Sequence, residues 1–306
     1  MSSPTGPAPG LPVRMPRPRQ SGRHRRPEPV AAPEGAPTLV LAMPGTPSAQ
    51  VRNLGDEVVS IARSELPGLD ARIGYLDGDD DEYPALGTVL AENAQRRVER
   101  HELAKAAGRE TSEPEGISAV VVPLLAGPDN SLVRRIRQAV VDSKAVAEMT
   151  EVLGPHPLLA EALHVRLSEA GLARADRARL FTVATAADGI ILATVGGDEA
   201  VQAAGITGML LAARLAVPVM AAALDDEGAV AAIAEQLRES GSTQLALAPY
   251  LIGPELPEGV LDVALKEADC AASEALGAYP AVGKLVLSQY TSTLGISAQN
   301  QNSPAR

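Results

Sequence analysis

The strongest constraint on this chain is a recurrence. The segment Pro123-Leu124-Leu125-Ala126-Gly127-Pro128-Asp129 returns as Pro249-Tyr250-Leu251-Ile252-Gly253-Pro254-Glu255. Farther along, Leu153-Gly154-Pro155-His156-Pro157 returns as Leu276-Gly277-Ala278-Tyr279-Pro280, each ahead of an amphipathic stretch of similar length. Two recurrences in the same order imply one structural unit used twice. At the front of each unit, Leu39 to Gly45 corresponds to Ile190 to Gly196, and Leu76-Asp77 to Leu224-Asp225. The second unit is the shorter, so the polar stretch from about Gln95 to Glu115 reads as an insertion in the first.

Within each unit, short β-branched runs alternate with amphipathic stretches, the pattern of β-α-β units and a parallel sheet. Strands are expected at Leu39 to Ala42, Ala71 to Leu76 and Ala119 to Leu125, with Val120-Val121-Val122 apolar throughout and so covered on both faces. Helices are expected from about Val51 to Leu66, where Leu54, Val58 and Ile61 fall at helical spacing, and from about Tyr83 to Leu103. The fold class is therefore α/β: two similar lobes with parallel sheets, a duplicated β-α-β unit and a cleft between the lobes. The first lobe spans 38–180 and the second 181–295, followed by a flexible tail at 296–306.

Residues 1–37 hold ten prolines and six arginines and almost nothing that can be buried. Such a composition favours neither helix nor core, so the segment reads as a disordered tail. Its arginines outnumber Glu28 and Glu34 by four, in a chain whose net charge is -11. The run Arg23-His24-Arg25-Arg26 is suited to an anionic partner, or is simply a solvated linker. The folded part is acidic and has almost no aromatic residues, with no Trp and one Phe, which argues against nucleic-acid binding by phosphate neutralisation or base stacking.

The single cysteine, Cys270, allows no intramolecular disulfide and no cysteine-rich metal site, in keeping with a cytoplasmic location. The most membrane-like stretch, Gly208 to Leu224, contains Arg214 and Pro218 and is shorter than a span of ~20 apolar residues. It reads as a buried helix followed by a strand. No membrane association is expected.

Ligands of parallel sheets collect beyond the carboxyl ends of the strands. Four glycine-bearing loops occupy such places: Met43-Pro44-Gly45, Gly127-Pro128-Asp129-Asn130, Thr194-Val195-Gly196-Gly197 and Gly253-Pro254-Glu255. Each glycine suits close approach by a ligand or, equally, nothing more than a tight turn. Asp129 and Glu255 hold equivalent positions and can offer hard oxygen donors to a cation. As surface acids after a strand, both also have a purely solvated reading.

The strand order, the Leu-Gly-Pro-His-Pro segment, the Ala-Pro-Tyr-Leu strand end at 248–251 and the duplication together resemble the sirohydrochlorin and cobalt chelatases, in particular their two-repeat actinobacterial type. The resemblance covers about residues 38–295. It implies two chelatase-like lobes, a sirohydrochlorin-type tetrapyrrole as ligand, and divalent cobalt, nickel or iron as the metal inserted. The family places a His-Gly-Ser turn after the first strand and a second histidine after the third. Here those places fall to Met43 and Asp129. A thioether cannot accept a pyrrole proton, whereas a carboxylate can, so Asp129 is the candidate catalytic base, and Asp129 with Glu255 the candidate metal ligands. The resemblance further implies basic groups near the cleft for the acidic rim of the macrocycle, with Arg134 and Arg135 as candidates. The alternative is a non-catalytic descendant: a tetrapyrrole or metal sensor, or an interaction scaffold.

The remaining histidines are less informative. His156 and Tyr279 exchange at one position, which favours a packing or capping contact, His164 reads as surface or interdomain, and His101 lies in the insertion. No pair of histidines has metal-ligand spacing on one helix face. A dinucleotide fingerprint, a Walker lysine and a nucleophile elbow are all missing from the sequence.

Overall fold

The computed structural model describes residues 31–79, 81–108, 116–173, 186–253 and 259–296. The first half runs β1 (Thr38–Met43), α1 (Ala49–Glu65), β2 (Ala71–Tyr75), α2 (Leu86–Ala106), β3 (Ala119–Pro123), α3 (Asn130–Asp142), β4 (Ala147–Met149) and α4 (Pro157–Glu169). The second runs β5 (Gly189–Thr194), α5 (Gly197–Leu215), β6 (Val219–Ala223), α6 (Ala229–Glu239), β7 (Leu245–Pro249), α7 (Val260–Ala268), β8 (Ala271–Ala272) and α8 (Pro280–Thr293). Every strand pair is parallel, and the sheets are ordered β2-β1-β3-β4 and β6-β5-β7-β8. The strand order of the first sheet thus recurs in the second. The described part of the expected insertion is largely helical: α2 has 21 residues against 11 in α6.

Alternation along the strands sends the side chains of each sheet to two separate cores, one of them shared between the sheets. On β1, Val40 and Ala42 join Val121 of β3 in a core covered by α2 and α3, whereas Leu39, Leu41 and Met43 face the other way. On the second sheet, Ile191, Ala193 and Leu247 pack under α6 and α7. The inward faces of both sheets belong to one continuous apolar cluster containing Leu41, Val122, Leu163, Leu192, Ala248 and Val286.

That shared cluster exists because the lobes exchange their last helices. The final helix, α8, packs against α1 and β3 of the first sheet, and α4 packs against α5 and β7 of the second. Gly283 makes the first crossing possible, because a side chain there would run into Ile61 of α1. The phenol of Tyr290 on α8 donates to the Pro37 carbonyl at 2.7 Å, fixing α8 beside the start of β1. The boundary expected at residues 180 and 181 lies outside the described residues, but packing crosses it in both directions.

The segment expected to be a disordered tail joins the body earlier than residue 38. The Ala32 N–H donates to Pro67 O at 2.9 Å, and Pro37 accepts from Tyr290. Residues 1–30, and 297–306 of the expected C-terminal tail, lie outside the described residues. The stretch from Gly208 to Leu224 is the end of α5 followed by β6, as expected. Among the described residues, no helix is long and apolar enough to cross a membrane.

Candidate functional site at the carboxyl ends of the strands

In each sheet the strand order reverses between the first strand and the third, so the loops after β1, β3, β5 and β7 mark the switch points where ligands of such sheets bind. The loops do not stand apart around an open cleft. Gly196, in a left-handed conformation at φ 110°, lies against the loop after β3: a Cβ there would come within 2.7 Å of Pro128 O and 3.0 Å of Asp129 Cα. The contact is reinforced by Asn130 Nδ2 donating to Glu199 Oε2 at 2.8 Å. On the other side, a Cβ on Gly253 would lie 2.5 Å from Leu54 Cδ2 on α1. Two lobe-to-lobe contacts thus close over the strand ends.

Met43 does not face this seam. Its side chain is 1% exposed and continues the Leu39–Leu41 face of β1 into the core, where Sδ packs against Gly55 of α1 beside Ile73 of β2. Asp129 is the N-cap of α3: Oδ1 accepts from the N–H groups of Ser131 and Leu132, each at 2.9 Å. This bond satisfies two of the orphan donors of the first turn. Its Oδ2 has no hydrogen-bond partner among the described residues. Glu255 lies outside the described residues, so its expected equivalence to Asp129 is not part of this geometry. Among the described residues, no three His, Cys, Asp or Glu side chains gather as a metal site.

The expected basic rim is engaged elsewhere. Arg135 pairs with Asp77 after β2, and Arg134 Nε donates to its own helix at Asn130 O, 3.1 Å away. His156 caps α4, its Nδ1 accepting from the Leu158 N–H at 3.1 Å, and burial pushes its pKa down. Tyr279 is the N-cap residue of α8 but makes no side-chain cap bond, so the two units share the position and not the interaction. His164 is buried, not at the surface, where Nδ1 accepts from Arg214 Nε of α5 at 2.9 Å. It is an interlobe contact. His101 lies on α2, far along the helix from the strand ends.

Sequence reasoning missed two residues that shape the seam. Tyr250 follows β7 where Leu124 follows β3, and its fully buried ring crosses the interface toward Gly127 and Gly154. An aromatic in a chain with almost none was the available signal. Arg166 of α4 donates from Nε and Nη2 to Leu276 O, at 3.2 and 3.0 Å, and from Nη1 to Glu169 Oε2 at 3.0 Å. Nothing in its sequence context marks it.

Beside these contacts a cavity of about 530 Å³ opens between the lobes. Its walls are Gln50 and Leu54 of α1, Arg166, Leu251 to Gly253 after β7, Asp262 of α7 and Glu274 to Gly277 after β8. It is mostly apolar with one guanidinium and two carboxylates. A second cavity, of about 500 Å³, is lined by His164, Asp188 and Arg214 at the amino ends of the strands, away from the switch points.

The geometry defines a class: a two-lobed α/β protein with two parallel four-stranded sheets, joined by exchanged helices, of the sirohydrochlorin-chelatase fold. The chain is similar to the sirohydrochlorin chelatase SirB from Bacillus subtilis subspecies spizizenii in complex with cobalt. The TM-score is 0.56 and the identity 12%, over 84% of this chain and 95% of that one. SirB from Bacillus subtilis with Fe3+ gives the same TM-score at 13% identity, over 88% and 98% of the two chains. The likeness is one of fold. No family model matches the sequence, and no curated protein matches it.

Proposed function

We propose that this chain is a non-catalytic relative of the sirohydrochlorin chelatases, which keeps their two-lobed scaffold as a tetrapyrrole or metal sensor or as an interaction scaffold and does not insert metal. One observation carries the reading. The two positions that by resemblance should present imidazoles are a methionine packed into the core and an aspartate whose Oδ1 caps a helix. Metal insertion needs a donor that holds the incoming ion over the macrocycle and a base for the pyrrole protons. Met43 supplies neither. The cavity between α1 and the loops after β7 and β8 is the place for a ligand, its apolar walls suited to a ring system and Arg166 to an acidic substituent.

A second reading is favoured by Asp129 Oδ2, which is left without a hydrogen bond when Oδ1 caps α3. That oxygen can bind divalent cobalt, nickel or iron as substrate and accept a proton, which would make a carboxylate-based chelatase.

Titration of sirohydrochlorin into the purified full chain, with and without cobalt and followed by absorbance, separates the two. The proposal expects a rate of cobalt insertion equal to that in buffer; a binding-induced spectral change marks the tetrapyrrole sensor, and its absence leaves the metal sensor or the interaction scaffold. Protein-dependent insertion that is lost in Asp129→Asn would overturn it. The asparagine keeps the helix cap and removes only the charge.

A further inference from the structure

Helices α1 and α5 hold equivalent places, and their buried residues correspond one for one. Val51, Gly55, Val58, Val59 and Ala62 of α1 match Ala200, Ala204, Thr207, Gly208 and Leu211 of α5. The register between them is therefore fixed, and the outward faces can be compared position by position. On α1 that face reads Asn53, Asp56, Glu57, Ser60, Arg63 and Ser64. On α5 the same positions are Gln202, Gly205, Ile206, Met209, Ala212 and Ala213.

The first face is what water selects; the second is not. Ile206 is 46% exposed, Met209 66% and the neighbouring Leu210 40%. No charged side chain interrupts α5 between Glu199 and Arg214. Scattered exposed apolar residues are ordinary, but a contiguous stripe on one helix face marks a contact surface. The spacing is that of a two-helix seam, because Gln202, Ile206, Met209 and Ala213 are separated by four, three and four residues.

We propose that the outward face of α5 is the contact between two copies of this chain, with the helices paired antiparallel about a two-fold axis. A self-contact needs a patch complementary to itself under that rotation. In antiparallel register Ile206 meets Met209 of the second copy, and Gln202 meets Ala213 of the second copy. The flanking Gly205 and Ala212 let the backbones approach closely. Asp198 and Glu199 at the amino end come within a turn of Arg214 of the second copy, and the two helix dipoles oppose each other. The net charge of -11 disfavours the alternative of an anionic lipid surface.

The seam is short. Nineteen residues of helix extend ~28 Å, and one helix face of that length buries well under the ~800 Å² per partner of a standard interface. The dimer is consequently of the weak class, and its population depends on concentration.

Sedimentation velocity on the full chain over about a hundredfold range of concentration tests this. The expected result is a monomer that converts to dimer as concentration rises. Met209→Glu should hold the protein monomeric throughout, with a circular dichroism spectrum unchanged because the site is exposed. Val263→Glu, an exposed apolar position on α7, should leave the dimer intact. In a Cys270→Ser background, a short bismaleimide should cross-link Gln202→Cys, Ala213→Cys chains into dimers. A wild type that stays monomeric over the whole range, or a dimer that survives Met209→Glu, would overturn the proposal. In a monomer, slow thiol labelling of Met209→Cys would assign the face to another part of the same chain, and fast labelling to a different partner.

Discussion

The phenol oxygen of Tyr250 lies 3.0 Å from Thr207 Oγ1, and the bond is fully buried between the strand ends and α5. Burial, partly offset by this bond, pushes the phenol pKa up to about 12. The ring leaves no space beyond Gly154: a Cβ there would collide with the Tyr250 hydroxyl and come within 2.5 Å of Ala126 O. Tyr250→Phe is expected to lower stability by ~1 kcal/mol, because Thr207 Oγ1 loses its buried partner. Gly154→Ala should be the more damaging change, since the obstructing Ala126 carbonyl is backbone and cannot rotate away. Urea unfolding of the two variants checks the order.

The two lobes should unfold together. One apolar cluster runs through both sheets and through α8, so neither lobe closes its core without the other. Calorimetry of the full chain should show a single transition whose calorimetric and van't Hoff enthalpies agree. Two resolved transitions would mean that the exchanged helices are not an integral part of either core. Tyr290→Phe, which removes the bond to Pro37, should shift the transition downward by ~1 kcal/mol without splitting it.

Met43→His should destabilise the protein and fail to create a metal site. The side chain at this position points into the packed core beside Gly55 and Ile73, so an imidazole would be buried without a partner. The expected loss is ~2 kcal/mol. Chemical denaturation measures it, and an unchanged midpoint with cobalt-dependent stabilisation would show that the side chain had turned toward the strand ends instead.

The helix cap at His156 makes part of the stability depend on acid. Its Nδ1 accepts the Leu158 N–H only when unprotonated, and burial holds its folded pKa below the ordinary value of 6.5. In the window between the two values the unfolded chain binds the extra proton. The contribution is therefore complete above pH 6.5 and lost as pH falls through the depressed folded value. Comparing thermal midpoints of wild type and His156→Asn across that range tests this. The asparagine also caps, but does not titrate near neutrality, so the variant's curve should be flatter.

At high pH the sign reverses for three tyrosines. Tyr75, Tyr250 and Tyr290 are each pushed up to about 12, in every case first by burial. The unfolded chain releases these protons near 10, so stability falls between about 10 and 12. A spectrophotometric titration should show a late phenolate rise that coincides with unfolding.

Much of the architecture was legible in the chain because it depends on local chemistry. Strand and helix alternation follows from the spacing of apolar residues, and the matching strand orders follow from the recurrence of Pro123 to Asp129 at 249–255. That His156 makes a packing or capping contact could be read from its place between two prolines and its exchange for Tyr279, and the structure shows the capping bond at His156 alone. The roles of Met43 and Asp129 could not. Met43 ends β1 and Asp129 lies in the loop after β3, and nothing in the sequence states which way either side chain turns once α1 and α3 pack.

Tertiary structure alone decided that α4 and α8 change lobes, that Tyr250 and Arg166 tie the seam, and that His164 is buried against Arg214. It likewise distinguished the outer faces of α1 and α5, which only a common register of buried residues makes comparable. The physical reason is the same throughout. Periodicity tells which residues of an element must be covered, whereas the identity of what covers them is set by contacts between parts of the chain more than a hundred residues apart, such as Arg166 with Leu276 and Tyr290 with Pro37.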